Sequence, residues 1–233
     1  MSALVRRQVP LTALLIFAAL VCWIVAARRM EGMDMGPRTE LGSLPFFLGT
    51  WVTMMAAMML PAVLPVVLLV ARASRASTGG FVASYLVVWS AYGLLAYAVY
   101  RLIRAASLDF LAWDEQGPLI AGAAVAAAGL YELTPLKRAC LRHCRSPLSL
   151  FARWRPGLRG ALSTGVRHGA YCVGCCWGLM IVLFAVGVMS IPWMLVLAAV
   201  IFAQKVLPYG DRAERPLSVA LVVLGIWVAA QPL

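Results

Sequence analysis

The sequence predicts an all-α membrane protein, a polytopic bundle in which about seven helices cross the bilayer. Hydrophobic residues make up 63% of the chain, charged residues only 12%, and the mean hydropathy is +0.89. A soluble protein of 233 residues could not bury that much apolar surface, so lipid must surround most of the chain. Strand-like alternation is missing from the sequence, and helices remain as the way to satisfy backbone hydrogen bonds in lipid.

Seven apolar stretches supply the spans, and each approaches the roughly 20 residues that cross a bilayer as a helix. In chain order they cover residues 10–27, 46–71, 81–103, 118–136, 169–189, 191–207 and 216–230. Ser190 alone separates the fifth stretch from the sixth, and Pro192 follows it, so these two should form a tight hairpin. A count of six is the alternative, with one of the shorter stretches lying flat on the membrane.

The formal net charge of +11 reflects how the basic residues are distributed around the spans. With the N-terminus inside, fifteen of the 20 Lys and Arg residues lie at the inner ends of the spans, among them Lys137 and Lys205. This asymmetry predicts an N-inside, C-outside topology in the cytoplasmic (inner) membrane. The basic side would contact anionic lipids of the inner leaflet, which explains the charge without nucleic acid as a partner.

We treat residues 1–233 as a single integral membrane domain whose longest inner segment covers residues 139–167. That segment is rich in arginine and is predicted to be a cytoplasmic basic loop. Ser146 and Pro147 favour a helix start, and the apolar residues that follow share one face. The segment could therefore hold a short interfacial helix, and an unstructured basic loop is the alternative.

The stretch HGAYCVGCCWGLM, residues 168–180, carries the strongest chemical signal in the sequence. At about 100° per residue, a helix places an imidazole and three thiols within one arc of about 100°. The four residues are His168, Cys172, Cys175 and Cys176, and Met180 lies one turn further along. Thiolates and thioethers are ligands for soft metals. Packing is the alternative, because free cysteine is a common small apolar residue in protein cores.

Glycines at intervals of four residues surround these cysteines. One pair is Gly165 and Gly169, and the other is Gly174 and Gly178. Small residues at this spacing let helices approach closely within a membrane. We therefore expect a neighbouring helix to pack tightly against this part of the chain.

The end of the fourth stretch, YELTPLKRACLRHCRSP, adds further donors. Cys140 and Cys144 share one helix face, with His143 beside them. Glu132 lies at intramembrane depth, where a carboxylate is costly and indicates a functional site. A structural ion pair with the lysine or arginine that follows is the alternative.

Pro135 should kink the helix in this region. A proline ring clashes with the carbonyl four residues back, here that of Tyr131, and cannot donate a hydrogen bond to it. We therefore expect the Tyr131 carbonyl to find another partner.

The second apolar stretch carries four methionines in MMAAMMLP. They form two pairs at helical spacing, Met54 with Met58 and Met55 with Met59. Thioethers suit Cu(I), although methionine is also ordinary core filler. At 1.5 Å per residue, the methionines lie about 20 Å from the inner side, and the thiols about 7–13 Å from it. The thiols and Glu132 could thus share one site, with the methionines on a path towards it.

These motifs resemble those of a bacterial and archaeal family of predicted metal-binding integral membrane proteins, a domain of unknown function. The resemblance covers most of the chain from Trp51 onward. It is carried by W…MMAAMMLP, YELTPLK…CLRHCRSP, GCCWGLM and GVMSIPWM…AQK, at residues 51–61, 131–147, 174–180 and 187–205. It implies a membrane fold and a bound metal, but no mechanism.

Two positions depart from the pattern that this resemblance implies. Gln204 precedes Lys205 where we expect Glu, and Glu132 follows Tyr131 where we expect Gln. The two differences look like a carboxylate exchanged between two positions, which predicts that both positions line one site.

The function we expect is copper handling or delivery by an integral membrane protein, through an intramembrane Cys/His/Met site. Three thiols of residues 172–176 would be the primary ligands, three donors of residues 140–144 an inner relay, and the methionines a soft path outward. The candidate metal-site residues are Cys172, Cys175, Cys176, Cys140, Cys144, His143, His168, Met54, Met55, Met58, Met59, Met180 and Glu132. Cu(I) suits these donors best, and zinc is second. A metallochaperone or another membrane protein could be the partner.

Two other functions stay open. Cys172 and Cys175 form a C-x-x-C motif, which could make the protein a membrane thiol–disulfide oxidoreductase. The apolar helix around the motif and the missing thioredoxin-like context disfavour this, so an enzyme is the less favoured class. The glycine pairs could instead dock the chain as a non-catalytic subunit of a membrane protein complex.

Overall fold

The computed structural model describes residues 3–31, 41–105, 113–146, 154–187, 191–207 and 214–230. These ranges form eight α-helices and contain no β-strand, which confirms the all-helical prediction. The helices are α1 (Ala3–Met30), α2 (Leu44–Ala73), α3 (Thr78–Ala105), α4 (Trp113–Tyr131), α5 (Pro135–Arg145), α6 (Leu158–Gly187), α7 (Ile191–Val206) and α8 (Glu214–Ala229).

Four helices in the described ranges are long and apolar enough to cross a membrane. The segments are Gln8–Met30, Leu44–Ala73, Thr78–Leu102 and Leu158–Leu183, and the pair α4–α5 makes a fifth if it is counted as one span. Helices α7 and α8 have 16 residues each, about 24 Å in length, against about 30 Å for a bilayer core. The prediction of seven spans is therefore not confirmed, and the N-inside orientation stays a prediction.

Helices α4 and α5 meet at Pro135, where the sequence predicts a kink. The chain bends by 64° between Tyr131 and Pro135, so the effect is a full break rather than a kink. Thr134 caps α5, because its side-chain oxygen accepts a hydrogen bond from the Lys137 backbone N–H at 3.2 Å. The Tyr131 carbonyl accepts from the backbone N–H and the hydroxyl of Thr134, at 2.9 and 2.8 Å. The carbonyl has thus found the new partner that the sequence predicted.

The predicted basic loop at residues 139–167 is helical at both ends. Helix α5 continues to Arg145, and α6 begins at Leu158. The predicted interfacial helix falls mainly on residues 147–153, which lie outside the described ranges. The predicted turn at Ser190 also lies outside them.

Helix α6 lies at the centre of the packing and contacts α3, α4, α5 and α7. Its glycines permit this. A Cβ atom at Gly165 would lie 2.1 Å from the Ser84 hydroxyl of α3, and one at Gly174 would lie 2.8 Å from the Cys140 sulfur of α5. A real Cβ cannot approach another heavy atom so closely, so glycine permits both contacts. In the second glycine pair Gly174 faces α5, and Gly178 faces Tyr131 and Ala128 of α4, so neighbouring helices pack closely here, as the spacing predicts.

Candidate metal centre

Four cysteine sulfurs meet between α5 and α6, and we call Cys144, Cys172, Cys175 and Cys176 the thiol cluster. All four side chains are buried. The Cys144 and Cys175 sulfurs are 3.7 Å apart, and the Cys175 and Cys176 sulfurs are 3.4 Å apart. The Cys172 thiol interacts with the thiols of the other three residues. The three cysteines that share one face of α6 thus lie beside a fourth, Cys144 of α5.

Lys205 of α7 reaches the thiol cluster. Its Nζ atom lies 2.7 Å from the Cys172 sulfur, and the Tyr85 hydroxyl of α3 lies 2.9 Å from the same sulfur. A buried ammonium without a partner costs several kcal/mol, so the contact with sulfur is what allows Lys205 to lie here. Lys205 is one of the basic residues counted at the inner ends of the spans, and the structure adds that its charged end lies against a buried sulfur.

The sequence analysis missed both Lys205 and Tyr85 as parts of the site. A signal for Lys205 was present, because it ends the apolar helix α7, and an ionisable residue in a predicted membrane span indicates a function. Tyr85 carries no comparable signal. A tyrosine is common in an apolar helix, and its sulfur partner is 87 residues away in the chain.

His168 lies one turn before Cys172 and is buried, with 3% of its surface exposed. Its ring packs between those of Phe81 and Tyr85, at centroid distances of 6.0 and 5.9 Å. The Nδ1 atom has no hydrogen-bond partner among the described residues. A buried imidazole nitrogen without a partner is uncommon, so His168 is available as a further donor beside the thiol cluster.

The predicted inner relay lies only partly beside the thiol cluster. Cys140 is half-buried, one turn before Cys144. His143 is exposed, with its ring stacked 4.3 Å from that of Tyr171 and its Nδ1 atom 2.9 Å from the Ala139 carbonyl oxygen. Adjacent positions on a helix point about 100° apart, so Cys144 can face α6 while His143 lies at the surface.

The predicted methionines all lie in the core. Their exposed fractions are 2% or less, and they belong to the same core as the cysteines of α6. They are Met54, Met55, Met58, Met59 and Met180. Ala56 and Leu60, on another face of α2, pack with Ala19 of α1. The methionine pairs and the alanine–leucine pair therefore belong to different packing regions of α2.

Glu132 belongs to a second buried group, which we call the carboxylate cluster: Glu132, Lys137 and Gln204. Lys137 Nζ donates to Glu132 Oε2 and, at 3.0 Å, to Gln204 Oε1. Gln204 Nε2 donates to Glu132 Oε2 at 2.8 Å. The prediction that positions 132 and 204 line one site is confirmed. The structure shows the ion pair between Glu132 and Lys137, which is the alternative interpretation of Glu132 given by the sequence.

A comparison with protein families relates the chain to copper. The family described as PpoB2, copper chaperone, matches residues 48–228, which is most of the chain. The chain belongs to the PpoB2 copper chaperone family. No curated protein and no solved structure matches it.

Membership of the copper chaperone family supports the predicted relation to copper, but it does not show the resemblance to the family of predicted metal-binding membrane proteins. The thiol cluster, Lys205 and the carboxylate cluster all lie inside the matched range, residues 48–228. Cys22, the cysteine of α1, lies outside it.

Within the described part of this copper chaperone family member, no group of three or more Cys, His, Asp or Glu side chains is placed to hold a metal ion. The thiol cluster instead offers sulfurs in pairs, with one cation beside them. Such an arrangement suits an ion that needs few ligands rather than one that needs four.

Proposed function

We propose that this chain is an integral membrane protein that binds Cu(I) in the thiol cluster and hands it on. The observation that carries the proposal is the convergence of buried sulfurs from two helices. A two-coordinate Cu(I) ion lies nearly in line with its two sulfurs, so at about 2.3 Å from each it would hold them about 4.6 Å apart. The Cys144 and Cys175 sulfurs, 3.7 Å apart, would therefore move apart by about 0.9 Å on binding.

Charge supports copper over zinc. Cu(I) with two thiolates carries one negative charge, and the Lys205 ammonium, 2.7 Å from the Cys172 sulfur, would neutralise it. A buried group of zero net charge avoids most of the cost of burying an ion. Structural zinc takes four ligands, and the thiol cluster does not present even three in a preformed set among the described residues.

Exposed apolar surface supports membrane integration. Leu14, Phe17 and Ile24 of α1 are all more than half exposed, as are Val223 and Ile226 of α8. Apolar surface of this extent needs lipid or another protein to cover it. We place the chain in the inner membrane with the thiol cluster near the basic, inner side.

The remaining sulfurs fit a route to and from the thiol cluster. We propose the four methionines of α2 and Met180 as weaker thioether ligands on the outward side. Cys140 and His143, which lie nearer the surface of α5, are the proposed contact point for a donor or acceptor protein. We assign Glu132 to the carboxylate cluster instead, because its hydrogen-bond partners are Lys137 and Gln204.

Copper content of the purified protein tests the proposal. The protein is loaded with Cu(I) in detergent under reducing conditions, and copper is measured by elemental analysis. We expect about one tightly held copper per chain for the wild type, and a near-complete loss in the C172S/C175S/C176S variant. C22S is the matched control, because it also removes a cysteine, and it should keep its copper. Equal copper in the triple variant and the wild type would overturn the proposal.

The contact between the Cys144 and Cys175 sulfurs also favours a second candidate, a thiol–disulfide oxidoreductase. An oxidoreductase must cycle between thiols and a disulfide, whereas a copper site needs its thiols reduced. Thiol labelling before and after treatment with a quinone distinguishes the two. Reversible loss of two labelled thiols at these positions would favour the oxidoreductase.

A further inference from the structure

A cavity of about 450 Å³ lies next to the thiol cluster. It is formed by the start of α1, the second half of α2 and the ends of α5 and α7. The polar residues that line it are Gln8, Arg72, Cys144, Arg145 and Lys205. The cavity therefore connects one sulfur of the thiol cluster and its lysine with the end of the bundle where Arg72 is exposed.

The charge of this cavity is the reverse of what a free metal cation requires. Arg72, Arg145 and Lys205 line it, and no Asp or Glu is among its described lining residues. Arg72 donates to the Gln8 side-chain oxygen at 3.0 Å, a neutral partner that leaves the Arg72 charge in place. Positive groups that line a cavity raise the local concentration of anions and lower that of cations.

We infer that this cavity receives copper as an anionic Cu(I)–thiolate complex of a small or peptide thiol, and not as a free ion. The inference rests on the proposed copper function and adds the chemical form of the cargo. A soft ion in a reducing compartment is held by thiolates, and a Cu(I) ion with two thiolates is an anion. The arginines would attract the complex, and Cys144 lies in the wall to take the metal from it.

The transfer is an exchange of ligands in which copper stays Cu(I). The Cys144 thiol, in the cavity wall, forms a Cu–S bond while one Cu–S bond to the carrier breaks, and its proton goes to that carrier thiolate, which leaves as a thiol. The sulfur of Cys172, as a thiolate held by Lys205, then forms the second bond while the second Cu–S bond to the carrier breaks and a carrier thiolate leaves. The resulting complex carries one negative charge, which Lys205 faces at the position seen 2.7 Å from the Cys172 sulfur.

Loading rates from two copper donors test the inference. One donor is the anionic complex of Cu(I) with glutathione, and the other is the cationic acetonitrile complex of Cu(I). The R72Q variant should load about tenfold more slowly than wild type from the anionic donor, with a weaker dependence on salt. The rate at which R72Q takes up copper from the cationic donor should equal or exceed the wild-type rate. R101Q, an exposed arginine on α3 away from the cavity, is the control of equal charge change and should load like wild type.

Two outcomes would overturn the inference. Equal loading of R72Q and wild type from the anionic donor, together with loss of bound anionic phospholipid in R72Q, would make the cavity a lipid headgroup site. Equal slowing of R72Q with both donors would show that charge does not select the complex. Wild-type protein that takes copper from neither donor would overturn the proposed function as well, so the two failures are distinguishable.

Discussion

The thiol cluster and the carboxylate cluster each place one lysine beside a buried partner, yet the two lysines have different surroundings. Lys137 is fully buried and bonded to the Glu132 carboxylate and the Gln204 amide. Lys205 is half-buried, contacts the Cys172 sulfur, and lines a cavity. One lysine is enclosed by hard oxygen partners, and the other lies between soft sulfur and an open space.

We interpret this difference as one between a structural ion pair and the proposed copper site. In the carboxylate cluster, α5 and α7 are joined to the break after α4, and its three side chains bond to one another. Removal of one partner there leaves a charge buried without compensation. In the thiol cluster a sulfur can lose its proton, or its contact with Lys205, and bind a soft metal ion instead. The first cluster should therefore control stability, and the second should control copper.

The largest effect should come from K137M in the carboxylate cluster. The change leaves the Glu132 carboxylate buried without its cation, which costs about 3–5 kcal/mol. We expect the apparent Tm in detergent to fall by about 10 °C or more. The E132Q/K137M double variant should regain much of this loss, because it removes both charges. A K137M protein as stable as wild type would contradict a structural role for the pair.

The next largest effect should come from C144S in the thiol cluster. Loss of a thiolate ligand should weaken Cu(I) binding by roughly 100-fold, about 2.7 kcal/mol. C140S removes a thiol from the same helix one turn earlier and should weaken binding by less than about threefold. Competition with a coloured Cu(I) chelator measures both affinities. Equal losses of Cu(I) affinity in C144S and C140S would show that Cys144 is not a specific copper ligand.

K205M should weaken Cu(I) binding by about 10- to 100-fold, the usual range for a group that supports metal ligands. The reason is that the negative charge of a Cu(I) bis-thiolate would then be buried alone. K205R should regain part of the affinity, since it keeps the charge in a different shape. Tighter Cu(I) binding by K205M would instead mean that the ammonium competes with copper for Cys172. That result would contradict the role of Lys205 as a charge partner of the copper site.

The smallest effect should come from G174A, between the cysteines of α6. Its new Cβ would lie 2.8 Å from the Cys140 sulfur, so α5 must shift slightly. We expect a stability loss of about 1 kcal/mol and a lower Tm by roughly 2–4 °C. G79A is the control, because a Cβ there meets nothing within 4 Å and alanine favours a helix. An unchanged Tm for G174A would show that α5 adapts freely.

Features set by local spacing could be predicted from the sequence. The break at Pro135, the close approach at Gly174 and the shared face of Cys172 and Cys176 all follow from helix geometry and residue type. The meeting of positions 132 and 204 could also be predicted, because two departures from one pattern occurred together.

Features that depend on packing between distant helices could not be predicted. Lys205 meets Cys172 across 33 residues of chain, and no local period relates α6 to α7. The ion pair between Glu132 and Lys137 was only one alternative in the sequence, because the burial of both groups depends on the break after α4 and on Gln204 of α7. The predicted number of spans is not confirmed by the four or five described helices that are long and apolar enough, because hydropathy measures apolar character, while helix length depends on where neighbouring turns fall.

X-ray absorption at the copper edge of the Cu(I)-loaded protein tests the central claim most directly. The account predicts a first shell made of sulfur, with the Cu–S signal strongly reduced in both C144S and C172S. C22S should leave the spectrum unchanged. A shell dominated by nitrogen or oxygen, or a sulfur shell unaffected by either substitution, would contradict a copper site in the thiol cluster.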